Sequence, residues 1–402
     1  MIQVDEAEKI ILALAKDYGQ ELVPFEQALG RVLAEDLRTD RDLPPFNRVA
    51  MDGIAIRYEG FAQGHRTFTI KSTQAAGDAP AVLETATECI EIMTGAALPP
   101  SADTVIRYED LEIQDGEATL LTEHVKQGQN VHEQGKDKKK YDVVAQANQV
   151  ISPALLGIAA AVGATELPVK KLPKVVLIST GDELVPVHQP PLPHQIRQSN
   201  SYLVQAALQQ YALQPDLLHL PDDLSVTRMH LAECLQQYDV IIMSGGISMG
   251  KFDYVPQALE ELQVEKLFHK VKQRPGKPFW FGRHAGGTLV FALPGNPVST
   301  FMCLHRYFLP WLEASLGISG KSGLFAALSQ EVTFNPPLQY FLQVKISVNE
   351  KGQLLATPFA GNGSGDFSNL VEADAFLELP AEQNSFRAGE VYRVWPFKRL
   401  FY

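Results

Sequence analysis

Several residues that suit anion binding lie between Asp239 and Thr300. An apolar run at 240–243 stops at Ser244-Gly245-Gly246, Ser248 follows shortly after, and Arg274 and Lys277 flank a Pro-Gly turn. Glycines let backbone N–H groups approach an anion closely, and the hydroxyl and cationic side chains add donors and charge. This set predicts a binding site for phosphate or another oxyanion.

A second loop of the same kind follows the apolar run at 288–293. It reads Pro294-Gly295-Asn296-Pro297-Val298-Ser299. One Gly-rich loop by itself is more often an ordinary turn between a strand and a helix. Several such loops at one edge of a sheet favour a ligand site, because ligands bind at the carboxyl ends of parallel strands.

Carboxylates stand in the same type of position. Thr180-Gly181-Asp182-Glu183 and Asp222-Asp223 each follow a predicted strand, and Asp253 follows the glycines at 245–246. Mg²⁺ uses one or two carboxylates together with substrate oxygens, so Glu183, Asp223 and Asp253 are candidate metal ligands. For Asp223, a cap of the following helix is an equally good interpretation.

Composition narrows the function classes. The chain has 402 residues and a formal net charge of −12, which disfavours nonspecific binding to nucleic acid and to anionic membranes. An anionic substrate would therefore need a local basic pocket. The three cysteines have no metal-ligand or disulfide spacing, and the acidic first residues do not resemble a signal peptide. A cytoplasmic protein is expected.

Common hydrolase and nucleotidase motifs are absent from the sequence. It contains no His-Glu-x-x-His, no Gly-x-Ser-x-Gly and no P-loop, since Gly276-Lys277 is followed by proline. Hydrolysis through a serine triad and P-loop nucleotide chemistry are both disfavoured.

The elements that must position these residues alternate between strand and helix. Apolar runs at 174–178, 217–220, 240–243 and 288–293 predict strands, and the patterns at 199–211, 224–237 and 298–316 predict helices. Strands that alternate with helices indicate a parallel, doubly wound sheet. Ser199-Asn200 is the predicted cap of its first helix.

The rest of the chain does not continue the alternation of strands and helices. Residues 5–34 predict helices, the second of them starting after Pro24 and running through Val32, and Ser152-Pro153 predicts the start of another. Short strands are predicted on both sides of the α/β region, at 67–70, 87–93, 104–108, 118–121, 343–348, 353–358, 376–380 and 391–394. A small, mostly β domain therefore precedes the α/β domain, and another follows it.

Taken in order, these segments resemble the molybdopterin molybdenumtransferase family of MoeA-type proteins, to which a domain of gephyrin is related. The resemblance covers essentially the whole chain. It rests on Pro44-Pro45-Phe46, Met51-Asp52-Gly53, Thr94-Gly95-Ala96, Thr180-Gly181-Asp182-Glu183-Leu184, Ser244-Gly245-Gly246, Pro275-Gly276-Lys277-Pro278, Pro294-Gly295-Asn296-Pro297-Val298-Ser299 and Gly363-Ser364-Gly365.

The resemblance implies an α/β multidomain fold in an elongated homodimer. It implies a helical linking domain (1–43 and 140–172), a small β lasso domain (44–139), a doubly wound molybdopterin-binding α/β domain (173–319) and a C-terminal β-barrel-like domain (325–402). Molybdopterin adenylyltransferase and other proteins of molybdenum cofactor biosynthesis are the implied partners.

The resemblance also implies a reaction, in which molybdate is inserted into adenylylated molybdopterin with Mg²⁺ and AMP is released. Glu183, Asp253, Asp52 and Lys277 would be catalytic. Asp52 and Thr94 would reach the cleft from the partner subunit, and Arg274, Lys277, Ser299 and Ser364 would face molybdate. The other implied substrate-binding residues are Thr180, Gly181, Asp182, Ser244, Gly245, Gly246, Ser248, Pro294, Gly295 and Asn296.

The chain departs from the family pattern in three places. Asn47-Arg48-Val49 stands where Asp-Asn-Ser is usual, His132 and Lys136 replace a usual arginine and glutamate, and Gln343 replaces a common arginine. A catalytically weakened scaffold that binds molybdopterin therefore stays open as an alternative function. A molybdopterin adenylyltransferase or a CinA-like nucleotide enzyme also stays open, because the α/β domains of these proteins have similar strand-end loops.

Overall fold

The computed structural model describes residues 1–247, 254–318, 323–359, 363, 365–366 and 368–398. The chain forms two compact units. Unit 1 comprises Met1–Ala34, Asn148–Ser152 and Leu167–Tyr402, and unit 2 comprises Glu35–Ala147 and Pro153–Glu166. The predicted four-domain borders are finer than this division and stay predictions.

The helices are short, and one long segment is interrupted by a π turn at Leu304–Phe308. They are α1 Val4–Leu12, α2 Tyr58–Ala62, α3 Pro153–Ala161, α4 Asn200–Gln209, α5 Leu224–Gln237, α6 Val255–Glu261, α7 Pro297–Cys303, α8 Leu309–Ser315 and α9 Ser368–Glu372. No helix in the described ranges is long and apolar enough to cross a membrane.

The strands up to residue 170 are β1 Gln20–Pro24, β2 Leu37–Arg38, β3 Arg48–Val49, β4 Gly53–Ile56, β5 Thr67–Gln74, β6 Glu88–Ile92, β7 Thr104–Arg107, β8 Leu111–Gln114, β9 Glu117–Leu120, β10 Val131–His132, β11 Val143–Ala145 and β12 Glu166–Lys170. The later strands are β13 Val175–Thr180, β14 Leu184–Val185, β15 Ile196–Arg197, β16 Asp216–Leu220, β17 Val240–Ser244, β18 Glu265–His269, β19 Gln273–Arg274, β20 Trp280–Arg283, β21 Leu289–Leu293, β22 Leu324–Leu328, β23 Val332–Thr333, β24 Gln339–Val348, β25 Leu354–Pro358, β26 Ala375–Leu379, β27 Ser385–Phe386 and β28 Val391–Pro396.

The α/β part of unit 1 is a six-stranded sheet in the order β16-β13-β17-β21-β20-β18. Strands β16, β13, β17 and β21 are parallel, as predicted, whereas β20 and β18 add an antiparallel edge. Alternate residues of the central strands enter two cores, one on each face: Leu177 and Ile242 on one, Ile178 and Met243 on the other. Burial on both faces explains the continuous apolar runs in the sequence.

The C-terminal part of unit 1 is a closed five-stranded barrel, which confirms the barrel-like prediction. Pairing runs β24-β25-β22-β28-β26 and returns to β24. Strand β19 adds to β24 in parallel, with Gln273 opposite Gln339 and Arg274 opposite Tyr340. The residues just before the Pro-Gly turn are thereby joined to the barrel.

Unit 2 is built on a curled sheet in the order β7-β4-β6-β5-β9-β8. All four strands predicted for this region between residues 67 and 121 are present, with borders shifted by a few residues at most positions. Strand β3 pairs with β10, so that Arg48 lies opposite His132. Two of the departures from the family pattern are therefore neighbours on one ribbon.

One predicted helix is wrong. Residues 25–32 form only a 3-10 turn, Phe25–Gln27. Gly30 has a φ of +78°, which breaks a helix, and Val32 and Leu33 bridge to Val150 and Val169 instead. The pairing of these β-branched and apolar residues overrides a weak helical pattern.

Candidate active site

A cavity of about 900 Å³ opens in unit 1 at the carboxyl ends of the parallel strands. Its volume lies in the range of small-molecule sites. The lining comes from the strand-end loops, the Pro-Gly turn and the barrel: Thr180, Gly181, Glu183, Asp222, Gly245, Gly246, Ile247, Gln273, Arg274, Pro275, Gly276, Lys277, Pro278, Pro294, Gly295, Asn296, Val298, Ser299, Leu338, Tyr340, Phe341, Gln343, Phe359 and Gly363.

The structure brings most of the predicted unit 1 residues to this one cavity. Eleven of them line it, namely Thr180, Gly181, Glu183, Gly245, Gly246, Arg274, Lys277, Pro294, Gly295, Asn296 and Ser299. Asp182 and Ser244 are outside this lining but belong to the same strand-end segments. The backbone N–H of Asp182 donates to Asp222 Oδ2 at 3.4 Å, and the Ser244 hydroxyl accepts from Asn200 Nδ2 at 2.7 Å.

The basic side of the cavity has no ion-pair partner among the residues that the structure describes. Arg274 and Lys277 are exposed, and no acidic residue of the described ranges forms an ion pair with either of them. The Arg274 guanidinium lies 5.9 Å from the centre of the Phe334 ring, which itself stacks on Tyr340 at 4.1 Å. Two cations without protein counter-charges can bind an anionic ligand.

The acidic side is formed by Glu183 and Asp222. The Glu183 carboxylate packs over Gly181, where an added Cβ would come within 2.3 Å of Oε2. The backbone N–H of Asp222 donates to Asp182 Oδ1 at 3.2 Å, opposite the bond from Asp182. These reciprocal bonds join the loops that follow β13 and β16.

Asp223 has a different task from the one predicted for a metal ligand. Its Oδ1 accepts from Val226 N at 2.9 Å and from the Ser225 hydroxyl at 2.5 Å, so it caps helix α5. These hydrogen bonds, that from the Ser225 hydroxyl first, lower the pKa of the Asp223 carboxyl. The geometry supports the cap interpretation, and Asp222 takes the place in the cavity wall.

Two predicted residues lie in unit 2. Thr94 N donates to Asp52 Oδ1 at 2.6 Å, and this bond, as the main cause, lowers the pKa of the exposed Asp52. The Asp52 carboxylate is therefore held against the Thr94 backbone, and the prediction that both residues reach the cleft of a partner subunit stays a prediction. Ser248, Asp253 and Ser364 lie outside the described residues.

Sequence reasoning missed Asn200 and the aromatic residues that line the cavity, Tyr340, Phe341 and Phe359. The predicted cap at the start of α4 makes no side-chain cap bond; instead Asn200 Nδ2 donates to Ser244 Oγ and to the Gly295 carbonyl, both at 2.7 Å. It therefore ties the loop after β17 to the loop after β21. An asparagine at a helix start is ordinarily a cap, and nothing local in the sequence signals the two distant partners.

Comparisons with known proteins agree along the whole chain. Three family profiles match in order: the MoeA N-terminal region (domain I and II) at 2–163, a probable molybdopterin binding domain at 176–314, and the MoeA C-terminal region (domain IV) at 326–397. A Synechocystis protein named molybdopterin molybdenumtransferase is 40% identical, over 98% of this chain and 99% of its own.

The chain belongs to the MoeA family. A Bacillus subtilis molybdopterin molybdenumtransferase is 30% identical over 98% of this chain and 93% of its own. The crystal structure of a molybdopterin biosynthesis MoeA protein from Pyrococcus horikoshii superposes with a TM-score of 0.82 at 30% identity, covering 99% of this chain and all of that one. Family and fold therefore agree with the resemblance seen in the sequence, and the cavity lies where the molybdopterin-binding profile and the C-terminal region meet.

Proposed function

We propose that the protein inserts molybdate into adenylylated molybdopterin and releases AMP. One observation carries the proposal. In a chain with a net charge of −12, two cations without ion-pair partners in the described ranges line the same cavity as the glycine loops of the molybdopterin-binding region. A basic pocket in an acidic protein suits a tetrahedral oxyanion and a phosphate-linked substrate.

Different lining residues would bind molybdate and the phosphates of adenylylated molybdopterin. Arg274, Lys277 and Ser299 would donate to the oxygens of molybdate, with Ser364 as a further predicted donor. The backbone N–H groups around Gly245 and Gly295 would bind the phosphates of the substrate. Holding both anions together makes the transfer effectively unimolecular, which is the main rate advantage that positioning residues supply.

Mg²⁺ suits the acidic side of the cavity. Within the described ranges no three acidic, His or Cys residues come together as a closed metal site. Mg²⁺ needs only one or two carboxylates when substrate phosphates complete its shell, and Glu183 and Asp222 both line the cavity. These two, with Asp253, would hold the ion, and it would neutralise charge on the phosphoanhydride that breaks.

The proposal is tested by mixing purified protein with adenylylated molybdopterin and molybdate, with and without Mg²⁺, and measuring AMP. We expect AMP release that requires both molybdate and Mg²⁺. Binding of adenylylated molybdopterin without AMP release would favour the scaffold alternative. Formation of adenylylated molybdopterin from ATP and molybdopterin would favour the adenylyltransferase alternative.

We also propose a cytoplasmic homodimer in which each cleft uses Asp52 and Thr94 of the other subunit, and which exchanges substrate and product with other proteins of cofactor biosynthesis. Family membership supports this assembly. Coexpression of Asp52→Ala with Lys277→Ala should give hybrid dimers that contain one intact cleft and regain activity. Inactive hybrids would contradict the shared cleft. A protein that light scattering shows to be a monomer and that is fully active would contradict the homodimer.

A further inference from the structure

Gln273 is a fully buried amide directly before Arg274, with 0% of its surface exposed. It accepts a hydrogen bond from the Tyr307 hydroxyl. Its Nε2 donates to the Gly276 carbonyl at 3.1 Å and contacts Cys303 Sγ at 3.5 Å. A glutamine at this position therefore connects the helical segment around residues 303–307 with the middle of the Pro-Gly turn.

The environment of this pair is apolar. Tyr307 is 1% exposed and packs with Phe279, Met302 and Cys303 in the core on one face of the sheet, and burial raises the pKa of its hydroxyl. Burying an amide and a phenol costs stability unless both are hydrogen-bonded, and an apolar pair of the same shape would fill the space without that cost. Packing alone does not account for the polar pair.

The turn fits directly onto helix α7. Gly276 has a φ of +87°, and a Cβ there would come within 2.7 Å of Cys303 Sγ and 2.8 Å of Gln273 Nε2. The Gly276 carbonyl also accepts from Phe279 N at 3.2 Å, and the Lys277 carbonyl accepts from Val271 N at 3.0 Å. Gly276 therefore rests on α7, the helix that carries Ser299.

The helical segment that follows α7 contains a π turn at the residue that contacts Gln273. Tyr307 lies in the π turn Leu304–Phe308, and single π turns inside helices occur frequently at functional sites. The extra residue changes the direction of the side chains that follow it relative to a continuous α-helix. Tyr307 reaches Gln273 from this turn.

We propose that Gln273, held by Tyr307, is a positioning residue that sets the affinity for molybdate. It acts through the Gly276 carbonyl: by fixing the centre of the turn, it fixes Arg274 and Lys277 relative to each other and to Ser299 on α7. The inference rests on the proposed function, since it assigns molybdate to these three side chains. Gln273 borders the cavity but has no exposed surface, so we assign it an effect through the turn and no contact with the substrate.

The test compares Gln273→Leu and Tyr307→Phe with the wild type in single-turnover AMP release at increasing molybdate. Each variant should raise the half-saturating molybdate concentration by about tenfold, the effect of one lost hydrogen bond, while AMP release at saturation stays within about threefold of wild type. The double variant should resemble either single variant, because both remove the same connection.

Thr288→Val is the matched control. Thr288 is also buried, and its hydroxyl donates to the Leu235 and Tyr238 carbonyls, but it lies at the opposite end of β21 from the cavity. It should lower the unfolding temperature and leave the molybdate dependence unchanged. If Gln273→Leu proves insoluble, Tyr307→Phe, which removes only one oxygen, decides the question.

Direct binding separates this inference from the proposed function. Calorimetry with molybdate alone measures the dissociation constant of wild type and variants. Equal constants and equal turnover in wild type and both variants would overturn the positioning role. A variant that loses maximal AMP release and unfolding temperature without a change in half-saturation would overturn it too. Failure of the wild type to bind molybdate at all would instead remove the proposed function.

Discussion

Lys277 is the residue on which the oxyanion assignment depends most. It is exposed to the cavity and no described acidic residue pairs with it, so its charge is available to a ligand. Lys277→Ala should raise the half-saturating molybdate concentration by about ten- to a hundredfold, the range for one charge-assisted hydrogen bond. Lys266→Ala, a change on the exposed edge strand β18, is the control and should leave it unchanged. An unaltered half-saturation in Lys277→Ala would refute the assignment.

A substitution at Gln343 is expected to strengthen molybdate binding, whereas Lys277→Ala weakens it. Gln343 lines the cavity, is 9% exposed, and its Oε1 has no hydrogen-bond partner in the described part of the chain. The Gln343 amide brings no charge to this part of the cavity, so Gln343→Arg should tighten molybdate binding by about tenfold or more. Calorimetry measures the dissociation constant for molybdate in the wild type and in Gln343→Arg. Identical constants would mean that residue 343 does not reach the oxyanion.

At the scale of the element, two adjacent aspartates have separate tasks. Asp223 caps α5, whereas Asp222 lines the cavity. Asp223→Ala should lower the unfolding temperature at neutral pH with little effect on AMP release, and Asp222→Ala should do the reverse. Thermal unfolding and AMP assays on the same two preparations test this, and a loss of activity in both variants with no loss of stability would contradict it.

The cap also predicts a pH dependence. The folded state lowers the pKa of Asp223, so its contribution to stability is complete above the unfolded value of about 4 and disappears as the pH falls through the lower folded value. The difference in unfolding temperature between wild type and Asp223→Ala should therefore be constant near neutrality and shrink in acid. A difference that grows in acid would contradict the sign of the shift.

The elements that the sequence predicted well are those with a local signature. Apolar runs that end in glycine marked β13, β17 and β21, and with them most of the cavity. The edge strands β18 and β20 and the side-chain connections made by Asn200 and Gln273 escaped prediction. The partners of Asn200, and the Tyr307 and Cys303 partners of Gln273, lie 30 or more residues away, and in a sequence a buried glutamine looks like a surface residue.

At the scale of the whole molecule, a buried charge network connects the parts of unit 1. Arg306, 1% exposed, pairs with Glu8 of α1 at 2.9 Å and with Glu378 of the barrel at 3.4 Å. Glu378 also accepts from Gln339 and from the Trp395 indole. Removing Glu378 would leave Arg306 with Glu8 as its remaining close partner and would leave the Gln339 amide and the Trp395 indole without their acceptor.

Glu378→Ala should therefore lower the free energy of unfolding by about 3–5 kcal/mol, the cost typical of a broken buried ion pair. Urea denaturation measures it, with the exposed pair variant Glu372→Ala, which removes the partner of Lys345, as a control expected to change it by less than about 1 kcal/mol. Equal effects of the two variants would mean that the buried network does not stabilise unit 1.

The location of molybdate in the protein tests the central claim most directly. Crystals soaked in molybdate and measured at the molybdenum absorption edge would reveal the metal by its anomalous scattering. We predict a single strong peak in the cavity, bordered by Arg274, Lys277 and Ser299, that is lost in Lys277→Ala crystals soaked in the same way. A peak that lies outside this cavity, or one that persists unchanged without Lys277, would contradict the account.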